Sequence, residues 1–306
     1  MGSDHASAPD LPAVCTTGLS KSYGRHRALS NLDLSITPGQ IFGFLGPNGA
    51  GKTTTIRLLA GLLRPSSGAA AVLGLDVVRH RDEVQARIGY LPGDFVGYPQ
   101  LTAREYLDFF ASLRPGTDRQ HTHALAERLA LPLDVRIGAM SHGNRQKVGI
   151  VQAMGHRPEL LILDEPTTGL DPIVQREFLS MLRTVRNVGR TVFLSSHVLS
   201  EVEAVADTVG FVRDGALVAQ SGIEELKGRA LHTVELTLTG PAPVGRFERV
   251  PGVRRAESTA GGVRVWVEGS MAELFRCAAP LGVERVATHE ADLEQIFLGY
   301  YEDGAA

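Results

Sequence analysis

Residues 46–53, GPNGAGKT, have the types and spacing needed to hold a polyphosphate. The motif G-x-x-x-x-G-K-T follows the apolar run IFGFL at 41–45 and opens the helix-forming run TTTIRLLAGLL. Glycines allow such a loop to point its backbone N–H groups inward, and the N-terminus of the next helix adds partial positive charge. The predicted phosphate-binding residues are Gly46, Pro47, Asn48, Gly49, Ala50, Gly51, Lys52, Thr53 and Thr54.

Side chains that could assist the transfer of a phosphoryl group to water occur in the loop and after a second apolar run. Lys52 would reach the β- and γ-phosphates, and the Thr53 hydroxyl would be a Mg²⁺ ligand. Asp164 ends the run LLILD, where its carboxylate would hold the same Mg²⁺. Glu165 comes next and could accept a proton from an attacking water. Two adjacent carboxylates are costly to bury, so their presence indicates a function.

These side chains can meet only if the strands that precede them end at the same edge of one sheet. Short β-type runs alternate with helical stretches, namely IFGFL at 41–45, LLILD at 160–164, TVFLSS at 191–196 and TVGFV at 208–212. This alternation predicts an α/β fold around a mostly parallel sheet, as in the P-loop ATPases. His197 directly follows one of these runs, at the carboxyl edge where such sheets bind ligands. We therefore add His197 to the predicted catalytic residues.

A helix-rich insert, at about 97–157, interrupts the alternating pattern. Its clearest helix begins with a capping box at Thr102 and should stop at Pro115-Gly116. The apolar residues spaced as one face of this helix are Tyr106, Phe109, Phe110 and Leu113. Such a face is either core or a docking surface. A further helix is predicted from Asp171, as N-cap with Pro172 after it, to Gly189.

The pattern changes near His232, where HTVELTLTG and then VRVWVEG alternate apolar and polar residues as half-buried strands do. With a helix at 271–279, a strand near VERVA and a final helix ADLEQIFLGYY, the sequence predicts a split β-α-β arrangement. The expected domains are thus a disordered tail at 1–12, a first domain at 13–226 and a small α+β domain at 231–302.

Composition limits the classes of partner. The formal net charge is −3, with 31 Lys and Arg against 34 Asp and Glu, so no broad basic surface for nucleic acid is expected. The two cysteines, Cys15 and Cys277, are far apart and indicate neither a disulfide framework nor a zinc site. No basic leader or run of about 18 apolar residues is present, which predicts a cytoplasmic location.

A polar turn at the start of MSHGNRQKVGIVQAM, 140–154, precedes the run LLILDEP. Ser141 offers a hydroxyl and a helix N-cap, and Gly143 leaves a backbone N–H exposed. Taken in order, GPNGAGKTT, this turn, LLILDEPTTGLD and SSH resemble the motifs of the ATP-binding cassette (ABC) superfamily, over roughly residues 13–225. The turn stands in place of the family signature LSGGQ, with His142 where the family has glycine and Asn144 where it has glutamine.

The resemblance implies a dimer in which two cassettes enclose two ATP·Mg²⁺ molecules. The signature residues of one subunit, Ser141, His142, Gly143 and Asn144, would contact the ATP held by the other. Tyr23 matches the aromatic residue that stacks on adenine, and Asp171 matches the acid at the subunit interface. The family's glutamine after the strand YLP is missing, since Gly93-Asp94 stand there. Asp94 is the candidate replacement as a metal contact.

Within the superfamily, YLPGDF…YPQLTAREYL and the ending DLEQIFLGYY resemble the ATP-binding subunits of type-2 exporters, which include drug and antibiotic efflux systems. The resemblance implies an ATP-hydrolysing motor at the cytoplasmic side of the membrane, paired with a separate permease that exports a hydrophobic, drug-like substrate. Two alternatives stay open from the sequence: a soluble ABC switch acting on a non-membrane partner, and an importer subunit.

Overall fold

The computed structural model describes residues 11–114, 116–229, 231–240 and 243–289. The chain divides into two compact units, 1–220 and 221–306. The expected domain limits of 13–226 and 231–302 stay predictions. The expectations for most of the N-terminal tail, for Pro115 as a helix stop and for the final helix ADLEQIFLGYY fall outside the described residues.

The first unit combines strands and helices in the alternating order that the sequence predicted. Its strands are β1 (Val14–Tyr23), β2 (His26–Ile36), β3 (Ile41–Leu45), β4 (Ser67–Val72), β5 (Leu75–Asp76), β6 (Ile88–Leu91), β7 (Leu160–Asp164), β8 (Thr191–Ser196), β9 (Thr208–Arg213) and β10 (Ala216–Gly222). Its α-helices are α1 (Lys52–Leu59), α2 (Arg81–Arg87), α3 (Ala103–Ser112), α4 (Arg119–Arg128), α5 (His142–Met154), α6 (Pro172–Asn187) and α7 (Leu199–Glu203).

A six-stranded sheet in the order β10-β9-β3-β8-β7-β6 forms the centre of this unit. The pairs β9-β3, β3-β8, β8-β7 and β7-β6 are parallel, as the apolar runs predicted. Leu45 pairs with Ser196, and Asp164 pairs with Ser195. The carboxyl ends of β3, β7 and β8 therefore lie side by side, and the segments that follow them start at one edge of the sheet.

An antiparallel sheet, β2-β1-β4-β5, accompanies the parallel one. The sequence analysis did not predict it, because β1 reads VCTTGLSKSY, with polar residues in consecutive positions, and its pairing with β2 shifts register several times. The sheet matters for the site because β1 ends at Tyr23 and β2 begins at His26. The turn between them places both rings beside the glycine-rich loop.

The helical insert consists of α3, α4, the 3₁₀ turn Ile137–Ala139 and α5. The capping box predicted at Thr102 is confirmed, with the Thr102 hydroxyl bound by the Glu105 N–H and the Glu105 carboxylate bound by the Thr102 N–H. Of the apolar face of α3, Tyr106 is buried whereas Phe109 and Leu113 are exposed. That face is therefore partly core and partly surface. Among the described residues, no helix is long and apolar enough to span a bilayer.

The second unit is a small α+β fold. Its elements are α8 (Ile223–Arg229), β11 (Leu231–Leu238), α9 (Val244–Phe247), β12 (Val253–Thr259), β13 (Gly262–Glu268), α10 (Ala272–Ala278) and β14 (Val283–His289). The strands pair antiparallel in the order β12-β13-β11-β14, so β11 to β14 form a β-α-β-β-α-β fold of ferredoxin-like type. The sequence prediction missed α9 and β12. In β12, the sequence VRRAEST has only Ala256 as a buried residue and so shows no alternating pattern.

Candidate active site

The loop between β3 and α1 has a conformation that its glycines permit. Gly49 and Gly51 have φ angles of 83° and 102°, in the left-handed region that side chains rarely adopt. Gly51 is the N-cap of α1, and a Cβ added there would lie 2.7 Å from the Ala28 carbonyl oxygen. The loop thus turns tightly into the helix, and the unpaired N–H groups of the first turn of α1 face the space in front of it.

Lys52 is the first residue of α1, and its side chain is only 6% exposed. Its Nζ atom donates to the carbonyl oxygens of Gly46 at 2.6 Å and Pro47 at 3.2 Å. The same Nζ lies 3.2 Å from Oε1 of Glu165. The ammonium group is thereby held over the loop, where a positive charge would meet the outer phosphates of a nucleotide.

Glu165 connects the loop to the segment after β8. Its carboxylate is 19% exposed, with Oε1 at Lys52 and Oε2 2.7 Å from Nδ1 of His197. The side chain of His197 is about half exposed. The predicted catalytic residues Glu165 and His197 and the predicted phosphate-binding Lys52 therefore form one connected group. A carboxylate in this setting can accept a proton from water while the imidazole holds its second oxygen.

The neighbouring Asp164 is 1% exposed at the end of β7. Its Oδ1 accepts a hydrogen bond of 2.7 Å from the Ser195 hydroxyl, which in turn accepts one of 3.0 Å from the Glu165 N–H. Ser195 is fully buried and fixes both acids at once. The sequence analysis quoted Ser195 within the motif SSH but gave it no role, because a serine at the end of a buried strand does not show which groups it will bond.

The backbone of Glu165 is strained. Its φ angle is +48°, and the next residue is Pro166, so two steric penalties act on the same position. A left-handed non-glycine residue costs about 1 to 3 kcal/mol and persists only where its surroundings hold it. The Ser195 hydroxyl holds the N–H, and Gln146, from α5, donates to the carbonyl oxygen at 3.4 Å. The strain turns the Glu165 side chain away from the strand direction and toward the loop.

A cavity of about 300 Å³ lies in front of the loop. Its lining residues are Tyr23, His26, Ala28, Pro47, Asn48, Gly49, Gly51, Lys52, Thr53, Thr54 and Glu165. Tyr23 is 46% exposed, with the Lys21 ammonium 5.4 Å from its ring centre. The structure thus brings the predicted aromatic residue to the phosphate loop, and it adds His26, which no sequence motif indicated.

Mg²⁺ sites in proteins usually contain only one or two protein ligands, and two candidate ligands are found here. Thr53 is exposed at the second position of α1, and Asp164 is buried at the sheet edge. Among the residues that the structure describes, no group of three or more His, Cys, Asp or Glu forms a complete metal site. One carboxylate and one hydroxyl fit an ion that takes its remaining ligands from phosphates and water.

The segment after β6 approaches the same edge. A Cβ added to Gly93 would lie 3.5 Å from the Asp164 carboxylate, so this segment passes directly beside the acid. Asp94 follows Gly93 and is exposed. Its assignment as a metal contact stays a prediction.

The turn at Ser141 lies outside the cavity in front of the loop. Ser141 is the N-cap of α5, as predicted, and its hydroxyl accepts from the Asn144 N–H at 3.3 Å. His142 packs its ring on Gly169, and a Cβ on Gly143 would lie 2.4 Å from the Gly169 carbonyl oxygen. None of the four predicted signature residues lines the cavity in front of the loop. Within one chain, the loop and this turn form separate surfaces.

Asp171 caps α6 next to this turn. Its carboxylate accepts hydrogen bonds from the N–H groups of Ile173 and Val174, both at 3.0 Å. The bond from Val174, and to a lesser degree the one from Ile173, holds the pKa of Asp171 below its usual value.

Glu201 was missed by the sequence analysis. It accepts hydrogen bonds from Thr167 at 2.6 Å and Ser196 at 3.2 Å, and so ties the segment carrying His197 to the loop that follows Glu165.

Comparisons with known proteins agree with this geometry. The family model described as "ABC transporter" matches residues 29–168. The bacitracin transport ATP-binding protein BcrA of Bacillus licheniformis is 39% identical over 231 residues, which cover 74% of this chain and 75% of BcrA. The daunorubicin resistance ATP-binding protein DrrA3 of Streptomyces coeruleorubidus is 34% identical over 94% of this chain and 95% of its own length.

Solved structures show the same fold. An ATP-binding subunit of an ABC transporter superimposes with a TM-score of 0.66 at 27% identity and covers 70% of this chain and 92% of its own. A dimeric ATP-binding cassette, described as a post-hydrolysis state bound to ADP and Pi, gives a TM-score of 0.64 at 22% identity over 69% of this chain and 98% of its own. This second likeness concerns the fold alone.

Proposed function

The chain belongs to the ABC transporter family, and we propose that it is the ATP-hydrolysing motor subunit of an exporter that works with a separate membrane protein. It binds ATP and is an ATP hydrolase of the cassette type. The observation that carries the proposal is the contact of Glu165 with both Lys52 and His197, in front of a loop built to hold phosphates. A charged group of this kind, at the edge of a parallel sheet, suits in-line attack of water on a γ-phosphate.

Each residue of this group has a defined task when ATP is bound. The N–H groups of the loop and the Lys52 ammonium neutralise the phosphates, and Tyr23 packs on the adenine. Thr53 and Asp164 are the residues that would hold Mg²⁺, and the ion would neutralise charge on the β- and γ-phosphates. Glu165 accepts the proton of the attacking water, and His197 holds the second carboxylate oxygen of Glu165 in place.

The proposed assembly is a dimer of two cassettes. The loop and the Ser141 turn occupy separate surfaces of one chain, and a second copy placed in the opposite orientation would bring its Ser141 turn to the ATP of the first. The N–H groups at the start of α5 and the Ser141 hydroxyl would then face the γ-phosphate. ATP binding closes the pair and hydrolysis opens it, so the closing motion drives the membrane protein between its two states.

The surface proposed to receive the membrane protein lies on the helical insert. Its apolar residues are exposed, at 80% for Val96, 47% for Tyr98, 44% for Phe109 and 60% for Leu113. The rings of Tyr98 and Phe109 lie 6.4 Å apart, so these two aromatic residues form one patch. The names of BcrA and DrrA3 refer to bacitracin transport and daunorubicin resistance. We propose a hydrophobic, drug-like molecule as the exported substrate.

The first test uses Glu165→Gln, which keeps the size of the side chain and removes its basicity. We expect ATP to bind this variant as it binds the wild type, while phosphate release falls to nearly zero. Glu177→Gln is the matched control, since Glu177 is a half-buried partner of Arg128 and does not line the cavity in front of the loop. Hydrolysis at the wild-type rate by Glu165→Gln would refute the assignment of the base.

A second test concerns the partner. The tagged chain is recovered from detergent-solubilised membranes of its own cells in the presence of ATP and vanadate. We expect a polytopic membrane protein in equal amount, and we expect a double variant, Tyr98→Asp with Phe109→Asp, to lose it while keeping ATP binding. Recovery of a soluble or ribosomal partner alone would leave the ATPase chemistry intact and show that the transport proposal is wrong.

A further inference from the structure

We propose that Gln146 is a positioning residue that links the signature turn of one subunit to the Glu165 of that same subunit. This inference rests on the proposed function, in which Glu165 is the base. Gln146 lies in the second turn of α5, and its side chain is 1% exposed. Its Nε2 atom donates to the carbonyl oxygens of Glu165 at 3.4 Å and Pro166 at 3.2 Å.

The orientation of the Gln146 amide follows from its surroundings. Two carbonyl oxygens can only accept hydrogen bonds, so the NH₂ group must face them. The Oε1 atom then points into the interior, where it is buried and has no hydrogen-bond partner among the described residues. A buried acceptor without a partner is unfavourable compared with an apolar side chain of the same size. What this glutamine supplies is therefore the pair of bonds to Glu165 and Pro166.

Those bonds act on a backbone that needs support. Glu165 has a φ angle of +48° and precedes a proline, a conformation that the residue does not adopt on its own. The Ser195 hydroxyl holds its N–H, and the Thr168 N–H lies 3.2 Å from its carbonyl oxygen. Gln146 is the member of this set that comes from α5. A shift of α5 along its axis would therefore change the direction of the Glu165 side chain.

Helix α5 also begins at the signature turn. Ser141 is five residues before Gln146, about 8 Å along the helix axis. At the same end, Gly143 packs so closely on Gly169 that a Cβ would lie 2.4 Å from its carbonyl oxygen. The segment from Glu165 to Gly169 therefore rests on α5 at two points. When the partner's ATP contacts the turn at Ser141, the displacement of α5 reaches Glu165 through Gln146, which couples the two ATP sites of the dimer.

The test replaces Gln146 with methionine, which keeps the length of the side chain and removes the amide. We expect kcat for ATP hydrolysis to fall about 10- to 100-fold, as for a misplaced catalytic group, with KM for ATP changed less than 3-fold. Gln85→Met is the matched control, because the Gln85 amide also donates to a backbone carbonyl, that of Ala60 at 3.1 Å. The control should hydrolyse ATP at the wild-type rate.

A double-mutant cycle separates positioning from general damage to the fold. If Gln146 acts through Glu165, then adding Gln146→Met to Glu165→Gln should lower the residual single-turnover rate less than 2-fold. A loss as large as in the wild-type background would refute the link. Should Gln146→Met fail to fold, Gln146→Asn keeps an amide that is one methylene too short, and the same kcat loss is expected from it.

The two levels of the proposal fail in different ways. If Glu165→Gln hydrolyses ATP normally, the proposed base is wrong, and the positioning role of Gln146 is refuted with it. If Glu165→Gln is inactive and Gln146→Met keeps the wild-type kcat, the proposed function stands and the role of Gln146 is refuted.

Discussion

Replacing Ser195 with alanine tests whether one buried hydroxyl holds both acids of the site. In the wild type this hydroxyl donates to Asp164 at 2.7 Å and accepts from the Glu165 N–H at 3.0 Å, in a fully buried position. Ser195→Ala removes both bonds and adds no volume. It leaves a buried N–H unpaired and takes a donor from a buried carboxylate.

The expected loss follows from the two bonds. A hydrogen bond to a charged group contributes about 1.5–3 kcal/mol, and a buried unpaired N–H costs about 1–3 kcal/mol. Because one hydroxyl makes both, the contributions overlap, and we expect the free energy of unfolding to fall by about 2–4 kcal/mol. For a unit of this size, Tm should fall by roughly 4–16 °C. We also expect kcat to fall about 100-fold, since a displacement of about 1 Å has that effect.

The assay combines thermal unfolding with ATP hydrolysis, and it includes Ser20→Ala as the control. Ser20 is 2% exposed and its hydroxyl also bonds to several groups, among them the Asn31 N–H at 2.9 Å, but it lies in the antiparallel sheet. Ser20→Ala should lower Tm and leave kcat nearly unchanged in the folded protein. If Ser195→Ala keeps both its Tm and its kcat, the network drawn around Asp164 and Glu165 is wrong.

Variants of three further residues test adenine binding, the Mg²⁺ contact and the pH dependence of the fold. Tyr23→Ala should weaken ATP binding about 10-fold, at the low end of base stacking on aromatic rings, and Tyr23→Phe should restore it in a fluorescent-nucleotide titration. Asp94→Ala should raise the Mg²⁺ concentration needed for half-maximal hydrolysis, and unchanged Mg²⁺-dependent turnover would remove Asp94 as a metal contact. Burial lowers the pKa of His156 from 6.5 to about 4, with Arg114 adding to the effect. The folded state therefore binds this proton less readily than the unfolded state, and stability should be complete above about pH 6.5 and decline as the pH falls toward 4. A plot of Tm against pH should be flatter over that interval for His156→Gln, and identical slopes would contradict this origin of the decline.

Local patterns in the sequence determined the elements and much of the site. The runs IFGFL, LLILD and TVFLSS form β3, β7 and β8 with the predicted limits, because buried parallel strands consist of short, continuous apolar segments. The helix caps at Thr102, Ser141 and Asp171 form as predicted, since a cap depends on the few residues next to it. The phosphate loop is also determined by local sequence, because its glycines, its lysine and its helix are contiguous in the chain.

Contacts between distant segments were decided only by the tertiary structure. Strands β1 and β12 lack a clear alternating pattern, and they form because neighbouring strands supply their hydrogen bonds. The sequence proposed Glu165 and His197 separately, whereas their contact at 2.7 Å depends on β7 pairing with β8. Ser195 and Gln146 gain their roles in the same way: a buried serine and a buried glutamine have no distinctive spacing in the chain, and packing alone brings them to the strained backbone of Glu165.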